Sequence, residues 1–169
     1  SGKIWVGTTA GLNWFDRYTG KFRRILHEPR NPDTIISNSI TFITEDPAGN
    51  VWIATREGLD QYDREAGRFR HFLNEIDNKK SLSSNVCETL FVDHDGTLWV
   101  GTRGGGLNRL NPDESFTSYR YDARDPGSLS DYTGYSIQQD HYGQLWVGTQ
   151  QGEYRLNEDG TFTHYHIRD

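Results

Sequence analysis

Apolar residues in this chain come in short alternating runs of five to seven residues, each closed by Gly, Asp or Asn, and the runs recur in order. One run reads ITFITED at 40–46, CETLFVD at 87–93 and GYSIQQD at 134–140. A second centres on tryptophan: GKIWVGT at 2–8, GNVWIAT at 49–55, GTLWVGT at 96–102 and GQLWVGT at 143–149. A third reads GLNWFD at 11–16, GLDQYD at 58–63, GLNRLN at 106–111 and GEYRLN at 152–157. A fourth centres on Phe22, Phe69, Phe116 and Phe162. β-branched and aromatic residues at period two, bounded by turn formers, predict strands, and no helical period competes. The turns DPAGN, DHDGT and DHYGQ keep glycine in one place, as a hairpin needing positive φ demands.

Trp5, Trp52, Trp99 and Trp146 lie 47 residues apart without drift. A fixed period in this range marks a solenoid, propeller or array. The tryptophan strand is apolar on both alternating faces, whereas a sheet wetted on one side would alternate with polar residues. Sheets must therefore stack on sheets. The chain is predicted to be all-β, a β-propeller segment of four-stranded antiparallel blades. A β-sandwich competes, but has no reason to hold a strict period. About 3.75 blades are expected, near residues 1–26 (partial), 38–73, 85–121 and 132–169. The ITFITED-type strand is read as innermost and the Phe strand as outermost. Long crossings at 27–38, 74–85 and 121–132 would join them, each anchored by one apolar residue, Ile35, Leu82 or Leu129. The four tryptophans are read as structural core.

Composition narrows the picture a little. Only 33% of residues are hydrophobic but 13% are aromatic, which suits a thin core spread between sheets. A net charge of −6 argues against nucleic acid, which needs a basic patch. Cys87 is the single cysteine, so no internal disulfide forms. No apolar stretch is long enough to span a bilayer, so no membrane insertion by this segment is expected. The sequence starts mid-repeat without Met and reads as a piece of something longer.

The phrases G-x-L-W-V-G-T, G-G-L-N-R-L and S-L-S, with the trailing D-x-x-G, closely resemble the two-component regulator propeller repeats. The resemblance covers essentially the whole chain. It implies seven-bladed propellers that serve as the extracytoplasmic sensor region of membrane-anchored histidine kinases, hybrid kinases and diguanylate cyclases. A periplasmic or extracytoplasmic location follows from that resemblance. The last copy departs from it: Glu153 stands where the others have Leu, and Tyr154 where they have Asn or Asp.

Candidate chemistry is sparse. Asp93 and Asp95 begin like a calcium loop, but no downstream glutamate completes it. His94 and His141 sit on sister turns that splay apart, so no metal and no cofactor are expected. His71 and His164 are read as solvated. Ser37, Ser83, Ser84 and Ser130 have no His–Asp partner in a repeatable geometry. Trp14 differs, because its slot holds Gln61, Arg109 and Arg155 elsewhere. Packing therefore does not demand tryptophan there, and an edge or partner surface is the reading.

Differences between copies collect in two loop sets. One follows the Thr of G-T and carries Arg56, Glu57, Arg103, Gln150 and Gln151; the other is the crossing, with Tyr132 and the nearby Tyr135. Both sets should emerge on one face of a rigid scaffold, which is where binding belongs. The segment is read as a non-catalytic sensor or recognition module for a small-molecule, glycan or protein ligand. An alternative is a lyase-type propeller, with Tyr132 or Tyr135 as base and Arg56 or Arg103 as charge neutraliser. Another is an architectural self-association module. The ends of an open arc are expected to carry Trp and Leu side chains and to be covered by neighbouring repeats, or by a second copy in a ring-completing dimer.

Overall fold

The computed structural model describes residues 3–129 and 136–165. Strands β1 (Lys3–Thr8), β2 (Gly11–Asp16) and β3 (Lys21–Ile25) form a three-stranded sheet. Three four-stranded sheets follow. The second holds β4 (Ile40–Glu45), β5 (Val51–Thr55), β6 (Leu59–Asp63) and β7 (Arg68–Phe72). The third holds β8 (Cys87–Val92), β9 (Leu98–Thr102), β10 (Gly106–Leu110) and β11 (Phe116–Tyr119). The fourth holds β12 (Ser136–Gln139), β13 (Leu145–Thr149), β14 (Gly152–Leu156) and β15 (Phe162–Tyr165). Each strand pairs antiparallel with its chain neighbour, and no helix occurs among the described residues. These are propeller blades. The hairpins feeding the Trp strands turn on Gly49, Gly96 and Gly143, all at φ between 81° and 86°, where a Cβ would be strained.

Neighbouring blades touch along the first strand of each sheet: the Trp strand β1 lies against β4, β4 against β8, and β8 against β12. Between blades, one face of each Trp strand packs forward and the other backward. Trp52 and Leu59 of the second blade share a buried cluster with Leu98, Val100 and Phe116 of the third. Trp99 and Leu107 repeat this against Leu145, Val147 and Phe162 of the fourth. In the backward direction, Val51, Ile53 and Phe69 close over Leu12, with Trp5 alongside. The core is thus three sheet-to-sheet layers, which is why few but large apolar residues suffice.

Each of three tryptophans is fixed by its polar edge as well. The indole N–H of Trp52 donates to Asp46 Oδ2 at 2.9 Å, that of Trp99 to Asp93 at 2.8 Å, and that of Trp146 to Asp140 at 2.9 Å. The aspartate sits six residues upstream in the hairpin turn, so one hydrogen bond sets both turn and ring. The bond to Trp146 leads the interactions that hold the Asp140 carboxyl below the usual carboxylate range.

The crossings are packed rather than loose. Ile35, Leu82 and Leu129 are fully buried. Beside them the backbone is bonded to the next blade: Phe69 N–H donates to Asp33 O, Phe116 N–H to Lys80 O and Phe162 N–H to Gly127 O. The Trp burials differ by place. Trp52 and Trp99 are 3% and 5% exposed, while Trp5 and Trp146, on the first and last blades, are half-buried. Despite Tyr154, the last blade keeps the strand order of the others. Tyr154 is 1% exposed, stacks on His164 and meets Phe162 edge-on.

Candidate functional site

The Thr of every G-T phrase builds a turn. Thr55 Oγ1 donates to Gly58 O at 2.8 Å and accepts the Glu57 N–H at 3.1 Å. Thr8 does the same with Gly11 and Ala10, and Thr149 with Gly152 and Gln151. In the third blade, where an extra glycine lengthens the turn, Thr102 donates to Gly106 O at 3.0 Å. The repeated residue is structural, so the residues after it are free to differ. Arg56, Glu57, Arg103, Gln150 and Gln151 are all exposed.

The turns are also tied to the ends of the crossings. Arg56 N–H donates to Ser39 O, and Arg103 N–H donates to Val86 O at 2.8 Å. These bonds bring the two variable loop sets to one face. Arg56, Arg103 and Gln150 occupy the same turn position on three successive blades, and no hydrogen bond links them to one another among the described residues. Tyr132 and Tyr135 lie outside the described residues.

Arg103 is engaged within its own blade. Its Nε donates to Glu88 Oε1 at 2.7 Å, and its Nη2 closes a second, shorter contact to the same oxygen. The other carboxylate oxygen, Glu88 Oε2, is buried and has no hydrogen-bond partner among the described residues. Glu88 is the residue skipped in the β8–β9 pairing between Cys87 and Thr89, so a bulge projects it from the inner strand. The same irregularity in β4 projects Thr41, whose hydroxyl donates to Cys87 O at 2.7 Å. Glu88 is absent from the sequence reading. Its signal was available: the slot holds Thr41, Glu88 and Tyr135, a variable position inside an otherwise apolar strand. Arg56 has no side-chain partner among the described residues, because its blade offers Thr41 where the third offers Glu88.

Neither outer-strand histidine is solvated as expected: His164 is half-buried and stacked on Tyr154, and His71 is held by two acceptors. His71 Nδ1 lies 2.6 Å from Asp60 Oδ1, and Nε2 lies 2.8 Å from Pro32 O. Asp60 is fully buried, and its second oxygen accepts the Ile36 N–H at 2.9 Å. The sister slot in the third blade does this with neutral groups: Asn108 Oδ1 accepts both Ser83 N–H and Ser118 Oγ–H. Sequence reasoning missed the pair because Asp60 and His71 look like surface residues until the crossing is laid over them. Burial raises the Asp60 carboxyl, and the hydrogen bond to Asp60 raises His71. Nearby Cys87 is buried too, which pushes its thiol up to about 12 and leaves it an inert apolar group.

The remaining candidates sit apart. Among the described residues no three His, Cys, Asp or Glu side chains are placed to hold a metal. His94 and His141 are exposed on separate turns. Trp14 is half-buried, with Lys3 Nζ 4.2 Å from its ring centroid and Arg23 on the same ring. No helix of the described residues is long and apolar enough to cross a membrane.

The two-component regulator propeller family matches residues 34–57, 81–104 and 128–151. Those three stretches carry that family's repeat. Among solved structures, the extracellular domain of a B. thetaiotaomicron hybrid two-component system is 28% identical, with a TM-score of 0.78 over 96% of this chain. A second such domain from the same organism is 20% identical, with a TM-score of 0.77 over the full chain. PorZ of Porphyromonas gingivalis, a surface component of the type-IX secretion system, is 18% identical, with a TM-score of 0.67 over 98% of this chain. The latter two likenesses speak to fold alone. This chain spans 22% of each of the first two structures and 26% of PorZ. No curated protein matches the chain.

Proposed function

We propose that this propeller segment is a non-catalytic recognition module in the extracytoplasmic sensor region of a bacterial signal-transduction protein. The ligand or partner engages the face carrying Arg56, Glu57, Arg103, Gln150 and Gln151. The observation that carries this is the pair of backbone bonds, Arg56 to Ser39 and Arg103 to Val86, which set two variable loop sets side by side on a rigid sheet scaffold. The 28% identity to an extracellular two-component domain supports the sensor setting. The lyase alternative asks for a free arginine beside a tyrosine; Arg103 is spent on Glu88, which leaves that role to Arg56. Titration against a glycan and metabolite library by calorimetry tests the proposal. A hit should weaken on Arg56→Ala with the melting curve unchanged. Turnover of any hit, abolished by a single substitution, would overturn it.

Self-association is a second proposal, carried by the end faces. Ile4, Val6 and Phe22 are 40%, 39% and 67% exposed, although their counterparts in the other blades are buried. A second copy docking its last blade there, head to tail, would reuse the interblade contact and close a ring of two arcs. Light scattering should give twice 19.4 kDa at micromolar concentration. A monomer that stays monomeric, or a dimer unaffected by Phe22→Asp, overturns this without touching the sensor reading.

A further inference from the structure

Two neighbouring interblade grooves carry different side chains. Between the second and third blades a bridge crosses. Arg70 donates through Nη1 to Gln61 Oε1 at 3.3 Å and through Nη2 to Glu114 Oε2 of the next blade at 2.6 Å. Between the third and fourth blades the positions of Gln61, Arg70 and Glu114 hold Arg109, Thr117 and Gly160. Thr117 bonds back to Asn111 in its own blade, and a Cβ on Gly160 would meet the Tyr119 ring at 3.7 Å. The bridge is therefore gone, and a groove of about 380 Å³ runs between the two sheets. Three charged side chains line it that the second groove lacks. Arg109 comes from β10, Asp95 from the turn before β9 and Glu158 from the turn before β15; their sister positions hold Gln61, Ala48 and Pro112. Arg109 bonds to Asn111 Oδ1 at 3.2 Å, and no carboxylate pairs with it among the described residues. Neither the Asp95 nor the Glu158 carboxylate has a partner among them. A further acid, Asp93, is committed: its oxygens accept the Trp99 indole N–H and the backbone N–H groups of Asp95 and Thr97. Tyr119, Leu145 and Leu156 supply an apolar wall.

We propose that this groove is a binding site for a free α-amino acid, with a basic side chain preferred. The ligand carboxylate meets the Arg109 guanidinium, and its ammonium groups meet Asp95 and Glu158. A guanidinium takes a carboxylate through charge-assisted N–H donors, and Glu114 on Arg70 makes this kind of contact one groove away. The groove holds more acid than base. A ligand that is only an anion is repelled, and one that is only a cation leaves Arg109 unanswered. A zwitterion meets both signs, and a second ammonium, carried on methylenes along the Leu145 and Leu156 wall, answers the remaining acid. Between two sheets these charges are partly shielded from bulk water, where pairing is worth more than on open surface. The cavity is also in the size range of small-molecule sites. It opens at the hairpin-turn end of the strands, whereas Arg56 and Arg103 follow the opposite ends of β5 and β9, so this site does not rest on that face.

The probe is L-lysine, titrated into the 169-residue protein by calorimetry and by amide NMR. Saturable one-to-one binding is expected, with shifts centred on Gly143 and Gly160 in the groove wall. Two comparators each lack one charge: L-norleucine has no side-chain ammonium, and cadaverine has no carboxylate. Each should bind about tenfold more weakly, the effect of losing one charge-assisted hydrogen bond. Arg109→Gln and Asp95→Ala install residues that the second blade already folds with. Arg109→Gln should erase the preference over cadaverine, and Asp95→Ala with Glu158→Gln the preference over L-norleucine. Thr117→Arg with Gly160→Glu rebuilds the second groove's bridge and should block the site. Three outcomes overturn the proposal: no saturable shift at Gly143 or Gly160, cadaverine binding as tightly as L-lysine, or a carboxylate preference that survives Arg109→Gln. Arg56→Ala should leave L-lysine binding unchanged; a loss there would move the ligand to the other face, overturning this site while supporting that one.

Discussion

Trp99 and Trp146 sit in the same phrase, LWVGT, and each holds the same hydrogen bond to an aspartate six residues upstream. Yet Trp99 is 5% exposed and Trp146 is half-exposed. The difference lies outside the blade. Trp99 is roofed by Leu145, Val147 and Phe162 of the following sheet; Trp146 meets Tyr165 of its own. Its neighbour in the Leu slot is Glu153, exposed where Leu59 and Leu107 are fully buried. The opposite end differs again, because Trp5 and Leu12 point inward and Ile4, Val6 and Phe22 face out. The expectation that both ends carry Trp and Leu is therefore corrected. One end is the aliphatic back of a blade, the other a tryptophan face with an acid. Local sequence fixes the blade, and the neighbour decides what each face is worth.

The largest break in this comparison comes from removing the rings. Trp99→Ala should destabilise by about 3–5 kcal/mol, since transfer and cavity costs both apply to a closed site. In the monomer Trp146→Ala should cost less than half of that, because solvent already reaches the ring and fills the space. Trp14→Ala should also stay under half, its ring being covered by Lys3 and Arg23 rather than by another sheet. Urea titrations of the three variants measure the ratios. Equal losses for Trp99 and Trp146 would mean the last blade's face is covered in solution, as self-association requires.

A second test contrasts the two interior blades. His71→Ala leaves Asp60 buried and short of a partner, which should cost about 1–3 kcal/mol. Ser118→Ala, in the neutral counterpart, should cost less. The two pairs also differ in pH response. Both Asp60 and His71 are raised above their ordinary values, so the folded chain holds their protons more tightly than the unfolded one. Their contribution is full below the unfolded values and is lost as pH rises through the folded ones. Stability tied to this pair should fall as pH rises from the ordinary carboxylate range through the raised imidazole range. Asp33 and His27 are the other charged groups that face it and will shape the slope. Asp60→Asn with His71→Ser recreates the third blade's arrangement, and melts across pH should show that slope flattened.

The blades were legible in the sequence for a physical reason. Each strand's pattern, each turn glycine and each crossing anchor is repeated, so noise at one copy is corrected by the others. The candidate face was only partly legible. Its backbone position follows from strand count, but the Glu88–Arg103 pairing depends on a bulge that lifts one residue out of alternation. The Asp60–His71 pair depends on a crossing loop folding back over a strand 24 residues later. Neither leaves a periodic trace. Arg56→Ala should accordingly shift stability by no more than about 0.5 kcal/mol, as exposed positions do, whatever it does to binding. Arg103→Ala takes the cation from a largely buried Glu88 carboxylate and should cost about 1–3 kcal/mol; a loss no larger than that of Arg56→Ala would mean that Glu88 turns to solvent instead.

The smallest expected effect concerns one residue that breaks the repeat. Gly20, Gly67 and Gly160 hold the same turn position before the outer strand, with φ of 67°, 68° and 83°. The third blade has Glu114 there, at φ 64°. A side chain in this left-handed region costs roughly 1 kcal/mol relative to glycine. In exchange, Glu114 accepts from Arg70 of the second blade at 2.6 Å, a bridge between two blades that neither end of the arc can make. Both side chains are about half exposed, so the bridge contributes only about 0–1 kcal/mol. The two terms nearly cancel. Glu114→Gly should therefore change stability by less than about 1 kcal/mol, while Glu114→Ala, which keeps the strain and loses the bridge, should be the least stable of the three. Salt separates the terms, because screening weakens the bridge and leaves the backbone cost untouched. In high salt Glu114→Gly should gain on the parent protein and Glu114→Ala should draw level with it; a ranking that ignores salt would assign Glu114 a packing role instead of a bridge.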